Sequence, residues 1–205
     1  MGSFEQPRHR SLIAVTTPSD GSASVSLRAC AKLTRSLQVT GRRDDGYHVI
    51  DAEMVSIDLH DRITITPGRT GINVTGPFSD GVPADGSNLV ARALELAGRL
   101  AHVSIDKRIP HGGGLGGGST DAAAVLHWAG FGTHPHALVS ASLLGADISF
   151  CLVGGRARVS GIGEIVEPLP HIDREITLVI PPLSVATPAV YRAWDEMGGP
   201  TGRGP

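Results

Sequence analysis

The chain has 205 residues, a formal net charge of −2, 40% hydrophobic and 19% charged residues. That length can bury one large core or two small ones, and the composition is globular rather than disordered. Acids and bases are interspersed, aromatic residues are few and scattered, and no stretch approaches the length of a membrane span, so neither nucleic acid nor a membrane is an expected partner.

Residues 1–23 are polar and rich in Pro, Gly and Ser, and read as a loose leader whose apolar run is too short for a signal peptide. VSLRACAKL and SLQV then read as strand segments, ended by the turn cluster GRRDDGYH. VIDAEMVSIDL and the alternating RITITP read as further strands, and GINVTG as a short one between glycines. NLVARALELAGRL, residues 88–100, places apolar residues on one helical face, with Ser87 or Asn88 as cap. HVSID is a strand, and STDAAAVLHWA after the glycines is helical, with Ser119 or Thr120 capping it and Asp121 in its first turn. A helix is expected over residues 135–144. ISFCLV, RARVS, EIVEPL and EITLVIPP read as strands, and a last helix as residues 188–197. Strands and helices without regular alternation predict an α+β domain. Cys30 and Cys151 form neither a metal spacing nor a disulfide framework, which suits a reducing cytoplasm.

KRIPHGGGLGGGSTDAAAVL, residues 107–126, carries the chemistry. Strand, glycine run, hydroxyls and helix in that order make an anion site, because the first helical amides are unpaired and the dipole end is positive. A flexible linker is the plainer alternative, but this run joins two ordered elements and is interrupted by Leu115. A Walker A loop needs Gly-Lys-Ser/Thr at its end, and no lysine follows Arg108. Gly112, Gly114 and Gly117 satisfy the dinucleotide pattern G-x-G-x-x-G, yet the acidic residue expected about 20 positions on is absent.

PHGGGLGGGSTDAA resembles the phosphate loop of the GHMP kinases, small-metabolite kinases that bind ATP without a Walker A sequence. ACAKLTRSLQVTGRRDDGYHVI, LLGADISFCLVGGRARVSGIGE and LVIPPLSVATPAVYRAWD resemble three further blocks of that family, in its order. They are most similar to the branch acting on a cytidine diphosphate-linked methylerythritol. The resemblance implies the family's N-terminal ATP-binding domain over residues 24–182, a fold shared with a domain of a ribosomal protein. It also implies that residues 183–205 begin a connection to a C-terminal domain that this chain stops short of, leaving a face that a homodimer or a partner would cover.

By the same resemblance the activity is ATP-dependent phosphorylation of the 2-hydroxyl of that substrate, in the cytoplasm, in isoprenoid precursor synthesis, with another GHMP small-metabolite kinase or a nucleotide-binding remnant or interaction module without turnover as the alternative. Lys32 and Asp147 form the catalytic pair. Pro110, His111, Gly112, Gly113, Gly114, Leu115, Gly116, Gly117, Gly118, Ser119 and Thr120 hold ATP, with Mg²⁺ brought by the nucleotide and Ser119 as its candidate protein ligand. Tyr47 and His48 line the cytosine pocket, and Thr187 lies near the substrate. Cys30, Thr34 and Arg35 stand where the family has proline, asparagine and an apolar residue.

Overall fold

The computed structural model describes residues 24–110, 112–179 and 187–199. Its spine is a long antiparallel hairpin, β1 (Val25–Arg42) and β2 (His48–Pro67). Each strand is continuous where the sequence suggested two segments. β-bulges absorb the interruptions, with register shifts at Cys30/Lys32, Thr34/Ser36 and Val39/Gly41. The other edge of β2 is divided. β5 (Arg156–Gly161) takes residues 50–55, and β4 (Ala101–Asp106) takes residues 62–67. β3 (Ile72–Thr75) pairs parallel with β4, and β6 (Ile165–Leu169) pairs antiparallel with β5, giving one six-stranded mixed sheet.

Helices cover one face. α1 (Leu89–Leu96), α2 (Gly117–Trp128), α3 (Pro135–Leu144) and α4 (Ile148–Val153) pack on Leu27, Ile63, Ile65, Val103 and Ile105 from the sheet. α2 is the innermost helix. Ala122 to Leu126 are all buried, which is why its run is alanine-rich and lacks a polar stripe. A second cluster joins Phe150 of α4 to Ile50, Ala52, Met54, Ala157 and Val159. α5 (Thr187–Glu196) lies beyond the sheet with no buried residue.

The α+β expectation holds, and four local readings are corrected. ISFCLV is a helix, not a strand. It is apolar on all sides because it wedges between two clusters, and a short apolar run carries no period that would tell the two apart. Residues 175–179 form no strand and run exposed along the surface except for Leu178, while residues 180–186 lie outside the described residues. α1 stops at Leu96 because Gly98 takes φ +59, so Leu100 is exposed rather than part of its face. α2 begins at Gly117, two residues before the expected caps. The leader, residues 1–23, and the tail, residues 200–205, also lie outside the described residues.

Candidate active site

β4 delivers the chain to the glycine run through Lys107–Pro110. Gly112, Gly114 and Gly116 take φ of +75, +71 and +68, so every second residue is left-handed. Such alternation turns successive amides toward one concavity, an anion-binding form that a side chain would strain. Leu115 is the anchor. It is 6% exposed and packs with Ala31 and Ile109, while its carbonyl accepts the Lys32 N–H at 3.0 Å.

Gly116, not Ser119 or Thr120, is the N-cap of α2, and it adopts the left-handed conformation with no side-chain bond. The first intrahelical bond runs from Thr120 N–H to the Gly116 carbonyl, 2.8 Å. The amides of Gly117, Gly118 and Ser119 therefore have no intrahelical acceptor and are available to an anion. The two hydroxyls divide. Thr120 is buried and donates to the Cys30 carbonyl at 2.7 Å, tying α2 to β1. The Ser119 hydroxyl has no side-chain hydrogen bond to another described residue, and its Oγ lies 3.8 Å from the place of a Cβ on Gly145. His111 lies outside the described residues.

Lys32 and Asp147 come together. Lys32 follows the first bulge of β1, where strict alternation is lost and Cys30, Ala31 and Lys32 are all buried. Its Nζ stands 3.1 Å from Asp147 Oδ2 and donates to Thr34 Oγ1 at 3.1 Å. Its stem lies against the loop, so that a Cβ on Gly116 would sit 2.8 Å from Lys32 Cγ. Asp147 stands at the cap position of α4, fixed by the buried Ile148 and Phe150 after it. Gly163, in the β5–β6 turn, supports the preceding Ala146 from behind. Burial, and then the Asp147 carboxylate, push the neighbouring Cys151 thiol up, so it stays protonated and is no nucleophile here. Arg35 turns away, pairing with Glu53, which also accepts Arg156 Nε at 2.8 Å.

The β1–β2 hairpin end meets α5. His48 stacks on Tyr191 with centroids 4.6 Å apart and planes at 18°, and its Nε2 lies 2.8 Å from Asp195 Oδ1. Arg42 reaches the other oxygen of Asp195 at 3.5 Å. Burial, and then the Asp147 carboxylate, push the Tyr191 phenol up. Tyr47 is 54% exposed, and Thr187 is exposed at the start of α5. Sequence reasoning missed Tyr191 and Asp195. The available signal was the VYRAWD run, which places an aromatic and an acid four apart on one helix face.

The chain is similar to known proteins over most of its length. The family described as GHMP kinases N terminal domain matches residues 88–155. A 4-diphosphocytidyl-2-C-methyl-D-erythritol kinase of Paracoccus denitrificans is 45% identical over 166 residues, 80% of this chain and 59% of that protein. One from Jannaschia is 40% identical over 176 residues, 84% of this chain and 64% of that protein. The crystal structure of a 4-(cytidine 5'-diphospho)-2C-methyl-D-erythritol kinase superposes with a TM-score of 0.60 at 36% identity, covering 82% of this chain and 63% of that one. The chain thus spans about three fifths of the length of the relatives it matches. By its sheet and helices the chain has the α+β fold of the GHMP-kinase N-terminal domain, and it is similar to these kinases over that part.

Proposed function

We propose that this chain carries the phosphoryl-transfer site of a kinase that phosphorylates the 2-hydroxyl of 4-diphosphocytidyl-2-C-methyl-D-erythritol with ATP. The observation that carries the reading is the 3.1 Å Lys32–Asp147 pair on the flank of a glycine loop with free helix-terminal amides. Phosphoryl transfer asks mainly for charge neutralisation and positioning. The amides of Gly117, Gly118 and Ser119 take the phosphate oxygens, and Lys32 adds a fixed cation beside them. Asp147 orients the substrate hydroxyl and accepts its proton, for which its partial exposure leaves access. The aromatic pair His48–Tyr191, with Tyr47 beside it, offers stacking faces for a pyrimidine, and Thr187 lies on the helix that carries Tyr191.

Mg²⁺ suits these residues. Among the described residues the Ser119 hydroxyl has no side-chain partner, and no group of three or more His, Cys, Asp or Glu side chains forms a cage. That fits a metal which keeps its waters and the nucleotide's oxygens and takes one or two protein ligands. Bound there by Ser119, Mg²⁺ would supply neutralisation of phosphate charge.

No described helix is long and apolar enough to cross a membrane. The test is incubation of the folded chain with Mg-ATP and the cytidine-linked alcohol, following ADP release and product mass. Phosphorylated product that disappears in Lys32→Ala and in Asp147→Asn is expected. Absence of product from a chain that is folded by circular dichroism would refute turnover by these residues. ATP binding, measured separately, would show whether the loop reading survives.

A further inference from the structure

Beneath the loop lies a buried trio of ionisable side chains outside the proposed catalytic pair. Because β5 and β4 divide the edge of β2, the sheet splays at residues 56–61. Asp61 stands at the corner of that opening, 0% exposed. Its Oδ1 accepts the backbone N–H groups of Arg108 at 2.5 Å and Ile109 at 2.8 Å, the residues by which β4 departs for the glycine run. A side chain thus replaces the strand ladder where the ladder ends. Its Oδ2 accepts Lys107 Nζ, which also donates to Asp121 Oδ2 on α2 at 2.8 Å.

Lys107 is 2% exposed and lies directly beneath the start of α2. A Cβ on Gly117 would sit 3.1 Å from its Nζ. One ammonium therefore ties the entry of the loop to the first turns of the helix that follows it. Charges are expensive to bury, and well-packed apolar groups usually stabilise a core at least as well. Among the described residues Asp121 Oδ1, also buried, has no hydrogen-bond partner, a defect that a trio kept only for stability would not carry.

We propose that Asp61, Lys107 and Asp121 are positioning residues for the nucleotide, holding both ends of the glycine loop so that its amides face the phosphates before ATP arrives. This rests on the phosphate-loop reading of residues 110–120. Preorganisation of this kind lowers the ordering cost of binding and acts on nucleotide affinity, not on the chemical step.

The test compares Asp61→Asn and Lys107→Met with the unaltered chain, using ATP affinity by calorimetry and steady-state turnover. The expected result is a rise of about tenfold or more in the ATP Kd and KM. Turnover at saturating ATP and the KM for the alcohol should stay within about threefold. Lys32→Ala should show the opposite split. Unchanged ATP affinity in the folded variants, or equal loss in all constants, overturns the proposal. Should those variants fail to fold, Asp121→Asn carries the test, because it leaves Asp61, its two backbone donors and Lys107 in place. Should the unaltered chain bind no ATP, the phosphate-loop reading falls by itself. The proposal for the nucleotide falls with it, and amide hydrogen exchange at residues 112–119 then separates the two failures: faster exchange in Asp121→Asn shows that the trio still orders the loop, and unchanged exchange overturns that as well.

Discussion

Gly163 packs against the backbone just before Asp147, the proposed proton acceptor, and its replacement by alanine should show that it positions this carboxylate. Its φ is +113, a region alanine adopts only with strain of about 1–3 kcal/mol. A Cβ there would overlap the Ala146 carbonyl oxygen, with the carbonyl carbon 3.1 Å and the Cα 3.3 Å away. These are backbone atoms and cannot rotate aside, so residues 145–147 must move, at an overpacking cost of about 1–3 kcal/mol. The sum is roughly 2–6 kcal/mol, and a chain of this size loses about 2–4 °C per kcal/mol, so Tm should fall by roughly 4–24 °C. Ala146 precedes Asp147, and a displacement near 1 Å would break the 3.1 Å approach to Lys32 and cost about a hundredfold in turnover. Gly155→Ala is the control. Gly155 takes φ +73 but a Cβ there meets nothing within 4 Å, so it bears the backbone strain alone. Thermal melting by circular dichroism and ADP release well below both Tm values would measure the two effects. Equal melting and equal turnover in the two variants would refute the claim that Gly163 positions Asp147.

Phe150→Ala should destabilise by about 3–5 kcal/mol, because the ring is 0% exposed and joins α4 to the second cluster. Leu143→Ala, 67% exposed on α3, should stay within about 0.5 kcal/mol in the same denaturant titration. Burial pushes the Asp121 carboxyl up to about 8, with Asp61 adding to it and Lys107 opposing it. A raised folded value gives stability that is complete below the unfolded value near 3.8 and is lost as pH rises through the folded one, so Tm should decline from about pH 4 to 8. The slope is at most about 1.4 kcal/mol per pH unit, Asp121→Asn should flatten it, and an unchanged slope in that variant would assign the decline to other groups. Burial pulls Lys107 down, but Asp121 and Asp61 outweigh it and hold its ammonium above the usual value, so its own contribution should persist until pH passes 10.5.

Much of the fold was legible because its elements have clear periods or stops. RITIT alternates in phase with the core, so Ile63 and Ile65 are both fully buried. α3 starts at a proline and runs over the residues expected of it. ISFCLV failed for the opposite reason: a segment buried on every side shows neither period two nor period 3.6. The start of α2 failed because Ser and Thr usually cap. Here the left-handed Gly116 ends the loop first, leaving Thr120 to reach across to β1 instead.

The site was legible only where residues close in space are also recognisable as blocks. Lys32 and Asp147 lie far apart along the chain, and their pairing depends on a bulge in one strand and the start of one helix, features that composition and spacing do not encode. The buried trio was hidden by a reasonable rule, that Asp and Lys belong to the surface. Yet one residue of it broke the rule visibly. Asp61 falls two before Ile63 and four before Ile65, in the inward phase of β2, and sits across from the buried Ala29. An aspartate in the buried phase of a strand must find its hydrogen bonds inside the protein. Two of those bonds go to the backbone entering the glycine loop, so the misplaced charge in the strand pattern pointed to the candidate site as directly as the glycines did.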